Sequence, residues 1–167
     1  MRRFASTLLA ASLLFGGCAS APDPDFGVPA ADSYRPFDAS RDAAADVAAA
    51  LARVAGTERR VAVVLGANWC HDSRGLAEHF ARPEIAPLIA KRFEVVWVDT
   101  GMRDRNKALA ERFGVAPIQG TPTLVVLDAR GRVLNREDAP SWRDAHSRTG
   151  DEVRAELVTL SEASGAE

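Results

Sequence analysis

The chain has 167 residues, 47% of them apolar and 26% charged, and a formal net charge of −2. This length suits one folded domain plus an export segment, and the near-neutral balance gives no reason to invoke nucleic acid as a partner. Its two cysteines, Cys18 and Cys70, exclude a disulfide-rich scaffold and a structural zinc site built on several thiolates.

The first segment reads as targeting. Met1-Arg2-Arg3 is positively charged, Phe4 to Phe15 is an apolar and small-residue run, and Gly16-Gly17 precedes Cys18. The run is too short to span a bilayer comfortably as a helix, and its order of charge, apolar core and small residues is that of a signal peptide. Leu14-Phe15-Gly16-Gly17-Cys18 resembles the bacterial lipobox, with Phe15 where that motif usually has an aliphatic residue. The resemblance implies that Cys18 is acylated and becomes the mature N-terminus. Ala19 follows in place of an aspartate, which implies an outer-membrane anchor facing the periplasm. The expected organisation is a signal peptide over 1–17, a tether over 18–37 with Pro22, Pro24, Pro29 and Pro36, a folded domain over 38–163, and a tail over 164–167.

Within the domain, Val47, Leu51 and Val54 recur at helical spacing and predict an alanine-rich helix with Asp38 or Ser40 near its N-cap. Val61 to Leu65 is a continuous apolar run that suits a strand covered on both faces. Gly66-Ala67-Asn68 breaks it, and a helix is expected from about Cys70 to Phe80. Pro83 ends that helix, and Ile85, Leu88 and Ile89 mark a further helical stretch. Glu94 to Val98 is a second buried-type strand. Leu109 and Phe113 share a face of another helix, stopped by Gly114. Thr123 to Leu127 is a third strand, and Asp128-Ala129-Arg130-Gly131 predicts a turn into a hairpin partner at Val133-Leu134. Asn135 to Arg148 is a long loop containing Trp142. Thr149 and Glu152 form a capping-box pattern ahead of Val153, Leu157 and Leu160. The order α-β-α-β-α-β-β-α predicts an α/β domain with a mixed sheet and helices on both faces.

This order resembles the thioredoxin superfamily. Trp69-Cys70-His71-Asp72-Ser73 follows the first strand, and Gly120-Thr121-Pro122-Thr123 enters the third after a helix ending in Phe113-Gly114-Val115. The resemblance covers roughly 38–163. It implies a thioredoxin fold in which Pro122 is cis and stands beside the active cysteine. It further implies that Cys70 is the attacking thiol with Trp69 and His71 beside it, and that Thr121 and Pro122 meet an extended substrate segment.

Two departures bear on activity. The redox members of the superfamily carry Cys-x-x-Cys, but here the second position is Ser73, so no disulfide can form within the motif. The superfamily also buries an acid six residues before the first cysteine, where this chain has Val64. The helix N-terminus at Cys70 favours a thiolate, His71 adds to that if protonated, and the carboxylate of Asp72 opposes it. Such a monothiol forms mixed disulfides with exported proteins and needs an external thiol or redoxin for release. The alternative is a non-catalytic binding module of the cell envelope. His71 and His79 are eight residues apart, about 80° round a helix, which is poor geometry for a shared metal, and neither a metal nor another cofactor is expected. Arg103-Asp104-Arg105 and Arg143-Asp144 read as solvated surface.

Overall fold

The computed structural model describes residues 34–164. The expected signal peptide, Cys18 and most of the expected tether lie outside the described residues. The elements are α1 (Ala43–Val54), β1 (Arg60–Gly66), α2 (His71–Ala81), α3 (Ala86–Arg92), β2 (Phe93–Asp99), α4 (Lys107–Phe113), β3 (Thr123–Leu127), a 3₁₀ helix (Ala139–Ser147) and α5 (Gly150–Glu162).

β1 is the middle strand of three, in the order β2-β1-β3. It runs parallel to β2, with Val63 opposite Val96, and antiparallel to β3, with Val63 opposite Val125. A central strand has no solvent edge, which is why Val61 to Leu65 is uninterruptedly apolar and fully buried. The two-residue period divides it. Val61, Val63 and Leu65 face a core shared with α1 and α4, while Ala62 and Val64 face a second core shared with α2, α5 and the 3₁₀ helix. Each fully buried side chain of this size contributes about 1.5–3 kcal/mol.

Helix boundaries follow local chemistry. Asp42, and neither Asp38 nor Ser40, caps α1: its carboxylate accepts from the Ala45 N–H at 3.0 Å. The Asp38 carboxylate accepts instead from the backbone and hydroxyl of Ser40, closing a turn one step earlier. Gly114, left-handed at φ 69°, ends α4. Thr149 and Glu152 form the full reciprocal capping box of α5.

The expected hairpin is reduced to a single bridge, Leu127 to Val133, after the turn closed by the Gly131 N–H on the Asp128 carbonyl. The reason is Asn135. Its Oδ1 accepts from the Val126 N–H and its Nδ2 donates to the Leu124 carbonyl, both at 2.8 Å. One side chain thus occupies backbone groups that a fourth strand would pair, and the chain turns away. The long loop that follows is not irregular: Ala139–Ser147 is a 3₁₀ helix with Trp142 fully buried.

Candidate active site

Cys70 sits where β1 hands over to α2. Asn68 fixes the approach. It accepts from the Phe37 N–H at 3.2 Å through Oδ1 and donates to the Phe37 carbonyl at 2.6 Å through Nδ2. The Phe37 ring packs below, against Gly66. A Cβ added to Gly66 would stand 2.6 Å from the Phe37 ring and 2.7 Å from the Ser73 hydroxyl, so only glycine admits both. The Cys70 N–H then donates to the Ala67 carbonyl at 3.1 Å, closing the turn.

Cys70 is the N-cap of α2, with extended backbone, and its carbonyl accepts from the Arg74 N–H at 3.2 Å. No side chain caps this end, so the first-turn amides have no intrahelical partner. The thiol is 8% exposed and donates to the Thr121 carbonyl at 3.2 Å. Thr121–Pro122 is a cis peptide bond, as is Ala116–Pro117. The structure therefore brings Cys70, Thr121 and Pro122 together.

Ser73 lies below the cysteine, fully buried, its hydroxyl accepting from the Ala67 N–H at 3.4 Å. Trp69 is 48% exposed, its indole N–H tied to the Gly101 carbonyl at 2.8 Å. Val64, six residues before Cys70, is fully buried in β1.

The histidines separate. His79 is buried, its Nε2 at 3.1 Å from the Ala145 carbonyl. Burial, then the charge of Arg82, pushes its pKa below the ordinary imidazole value, which favours the neutral ring. A carbonyl only accepts, so Nε2 carries the proton and donates. His71 is exposed, with Nε2 3.2 Å from Asp72 Oδ2. It meets a residue that sequence reasoning missed: His146, whose ring stands edge-on to His71 at 5.4 Å. Asp72 joins the two segments, because its Oδ1 accepts from the His146 N–H at 3.1 Å. Gly75 makes the approach possible, since a Cβ there would lie 2.7 Å from His146 Cα. Among the described residues, no three histidine, cysteine or acidic side chains are grouped to hold a metal.

A thioredoxin-like family model matches residues 42–129. The crystal structure of a disulphide isomerase from Xylella fastidiosa Temecula1 is similar to this chain with a TM-score of 0.72 and 32% identity, covering 77% of this chain and 98% of that one. No curated protein matches. The chain belongs to the thioredoxin-like family.

Proposed function

We propose that the chain is a thiol–disulfide oxidoreductase of the monothiol type, exported, anchored by lipid on Cys18 on the periplasmic side of the outer membrane, and acting through Cys70. The observation that carries this reading is the placement of Cys70 Sγ at the uncapped start of α2 against the cis-proline loop. The likeness to a disulphide isomerase supports it.

In the proposed cycle, the Cys70 thiol loses its proton to solvent and attacks a substrate disulfide. The Cys70–substrate S–S bond forms, the substrate S–S bond breaks, and the departing thiolate takes a proton from water. If another thiolate of the substrate attacks the substrate sulfur, Cys70 is released and the disulfide is rearranged with no net redox change. If instead an external thiol attacks the Cys70 sulfur, the substrate leaves reduced. A second external thiol then frees Cys70 and carries away the oxidised pair as its own disulfide. Ser73 cannot perform either release.

A second reading, a binding module that does not turn over, draws on the burial of Cys70 and the capture of its thiol by Thr121. Trapping separates the two. Cells acid-quenched and alkylated should yield mixed disulfides of the wild-type chain that vanish in Cys70→Ala, and mass spectrometry of the membrane fraction should find acylated Cys18. An absence of Cys70 adducts under oxidising conditions would leave the binding module standing. Ser73→Cys tests the motif itself. Cys70 caps the helix whose third residue is Ser73. Residues three apart within a helix have Cβ atoms about 5–6 Å apart, and a disulfide needs roughly 3.5–4.5 Å, so adjustment at the extended cap suffices. Free-thiol counting should show both thiols lost on mild oxidation.

A further inference from the structure

Trp69 and Met102 are the two large apolar side chains that stand exposed among the described residues, at 48% and 72%. They belong to the two loops joined by the bond from the Trp69 indole to the Gly101 carbonyl, beside Cys70. Across the thiol, the segment that supplies the Thr121 carbonyl is flanked by two exposed cations. Arg103 Nη1 donates to the Gln119 carbonyl at 3.3 Å, and the Arg143 side chain lies over Gly120, 3.1 Å from where a Cβ would stand.

Of the nearby carboxylates, Asp144 pairs with Arg148 at 2.7 Å and Asp99 lies 3.9 Å from Arg105, while Asp104 accepts from the Met102 N–H at 3.0 Å and keeps its charge. Among the described residues neither Arg103 nor Arg143 forms an ion pair. Arg103 and Lys107 also line a cavity of about 480 Å³ floored by Ala110, Pro117 and Ile118, with Glu111 as the one acid on its wall. An apolar shelf with unpaired cations at its rim, next to a nucleophile, suits a ligand that is apolar at its centre and anionic at its edges.

We infer that, resting on the oxidoreductase reading above, Cys70 selects disulfides in extended polypeptide segments that carry an apolar residue next to the cysteine and carboxylates flanking it. Trp69 and Met102 take the apolar side chain, and Arg103 and Arg143 take the carboxylates. Rim charges of this kind act on the rate of association and make it sensitive to salt.

The test uses the purified full-length chain and three synthetic peptides. Each has one cysteine, with an apolar neighbour, capped as a disulfide with neutral 2-thiopyridine, and the flanks are acidic, neutral or basic. Cys70 attack joins its sulfur to the peptide and releases 2-thiopyridine, read by absorbance, with the Cys70→Ala chain as blank. The acidic peptide should react on the order of tenfold faster than the basic one at low ionic strength, with the gap closing in about 1 M salt. Arg103→Glu with Arg143→Glu should invert the order. The single exposed change Arg143→Gln should lower the acid-to-base ratio about threefold. Equal rates for all three peptides, or a preference that survives charge reversal, would overturn the inference and leave the oxidoreductase reading intact. No release from any peptide would overturn both.

Discussion

The two layers that cover the sheet are built differently. On one face α1 and α4 rest on Val61, Val63 and Leu65 through side chains that are all apolar: Val47, Ala50 and Val54 from one helix, Leu109, Ala110 and Phe113 from the other. On the opposite face the apolar packing of Leu76, Phe80, Trp142 and Leu157 is supplemented by polar joins between α2 and the 3₁₀ helix. Asp72 accepts from the His146 backbone, His79 donates to the Ala145 carbonyl, and Gly75 lets the two backbones touch. Dispersion and burial are non-directional, so the first layer can repack with small shifts. The polar joins hold only at one geometry. The layer that carries Cys70 is held at specific points beneath the surface, whereas the directional join of the other layer to the sheet, Arg53 to Glu94 at 2.8 Å, is exposed.

Trp142→Ala should break this contrast most strongly. Trp142 is the fully buried aromatic side chain of the 3₁₀ helix, with Arg148 over its ring at 4.8 Å. Truncation should cost about 3–5 kcal/mol in denaturant unfolding. It should also change the rate at which Cys70 reacts with a small neutral disulfide, because α2 loses its neighbour. Leu109→Ala in the other layer should cost about 2–5 kcal/mol and leave that rate as in the wild type. Equal effects on the rate would show that the layers are not distinct.

Asn135→Leu tests the join that starts the 3₁₀ segment. It leaves the buried Val126 N–H and Leu124 carbonyl without their partner, at about 1–3 kcal/mol for each group. Urea unfolding should show the loss. A stability near wild type would mean that Val133-Leu134 extends into a true fourth strand in its place.

The smallest effect concerns His79. Its pKa is lowered on folding from the ordinary 6.5, by burial first. The unfolded chain therefore binds the proton more readily, so this contribution to stability is complete above about pH 6.5 and declines as pH falls below it. His79→Gln keeps an N–H for the Ala145 carbonyl and removes the titration. The difference in unfolding free energy between wild type and variant should drift against the wild type between about pH 7 and 5.5. A constant difference would mean that His79 is protonated equally in both states.

Much of this arrangement is legible in the chain itself. A covered central strand needs the apolar run Val61 to Leu65. A helix stop at Gly114 needs a left-handed residue, and the Thr149–Glu152 box is a contact between residues three apart. The Trp69-Cys70 and Thr121-Pro122 pairs mark the two sides of the site through a pattern of element order. The strand, the helix stop and the capping box depend on neighbours in sequence or on a period of two or three to four residues, so they are written locally, whereas the two pairs are read through the resemblance to the thioredoxin superfamily.

Most of what was not legible depends on distant partners, and the cap of α1 is the local exception. Asp42 displaces Asp38 and Ser40 as the cap of α1, because the turn at Asp38–Ser40 closes first. Asn135 ends the sheet at three strands by satisfying β3 with a side chain, a role no linear spacing announces. The sequence sets His71 and His79 on one helix, but the tertiary structure buries the second and pairs the first with His146, 75 residues away. Local propensity determined where helices and strands lie and that one thiol stands at a helix start. Only the tertiary structure brought the Thr121–Pro122 loop onto that thiol and the 3₁₀ segment onto α2, because those contacts exist only once the chain has closed on itself.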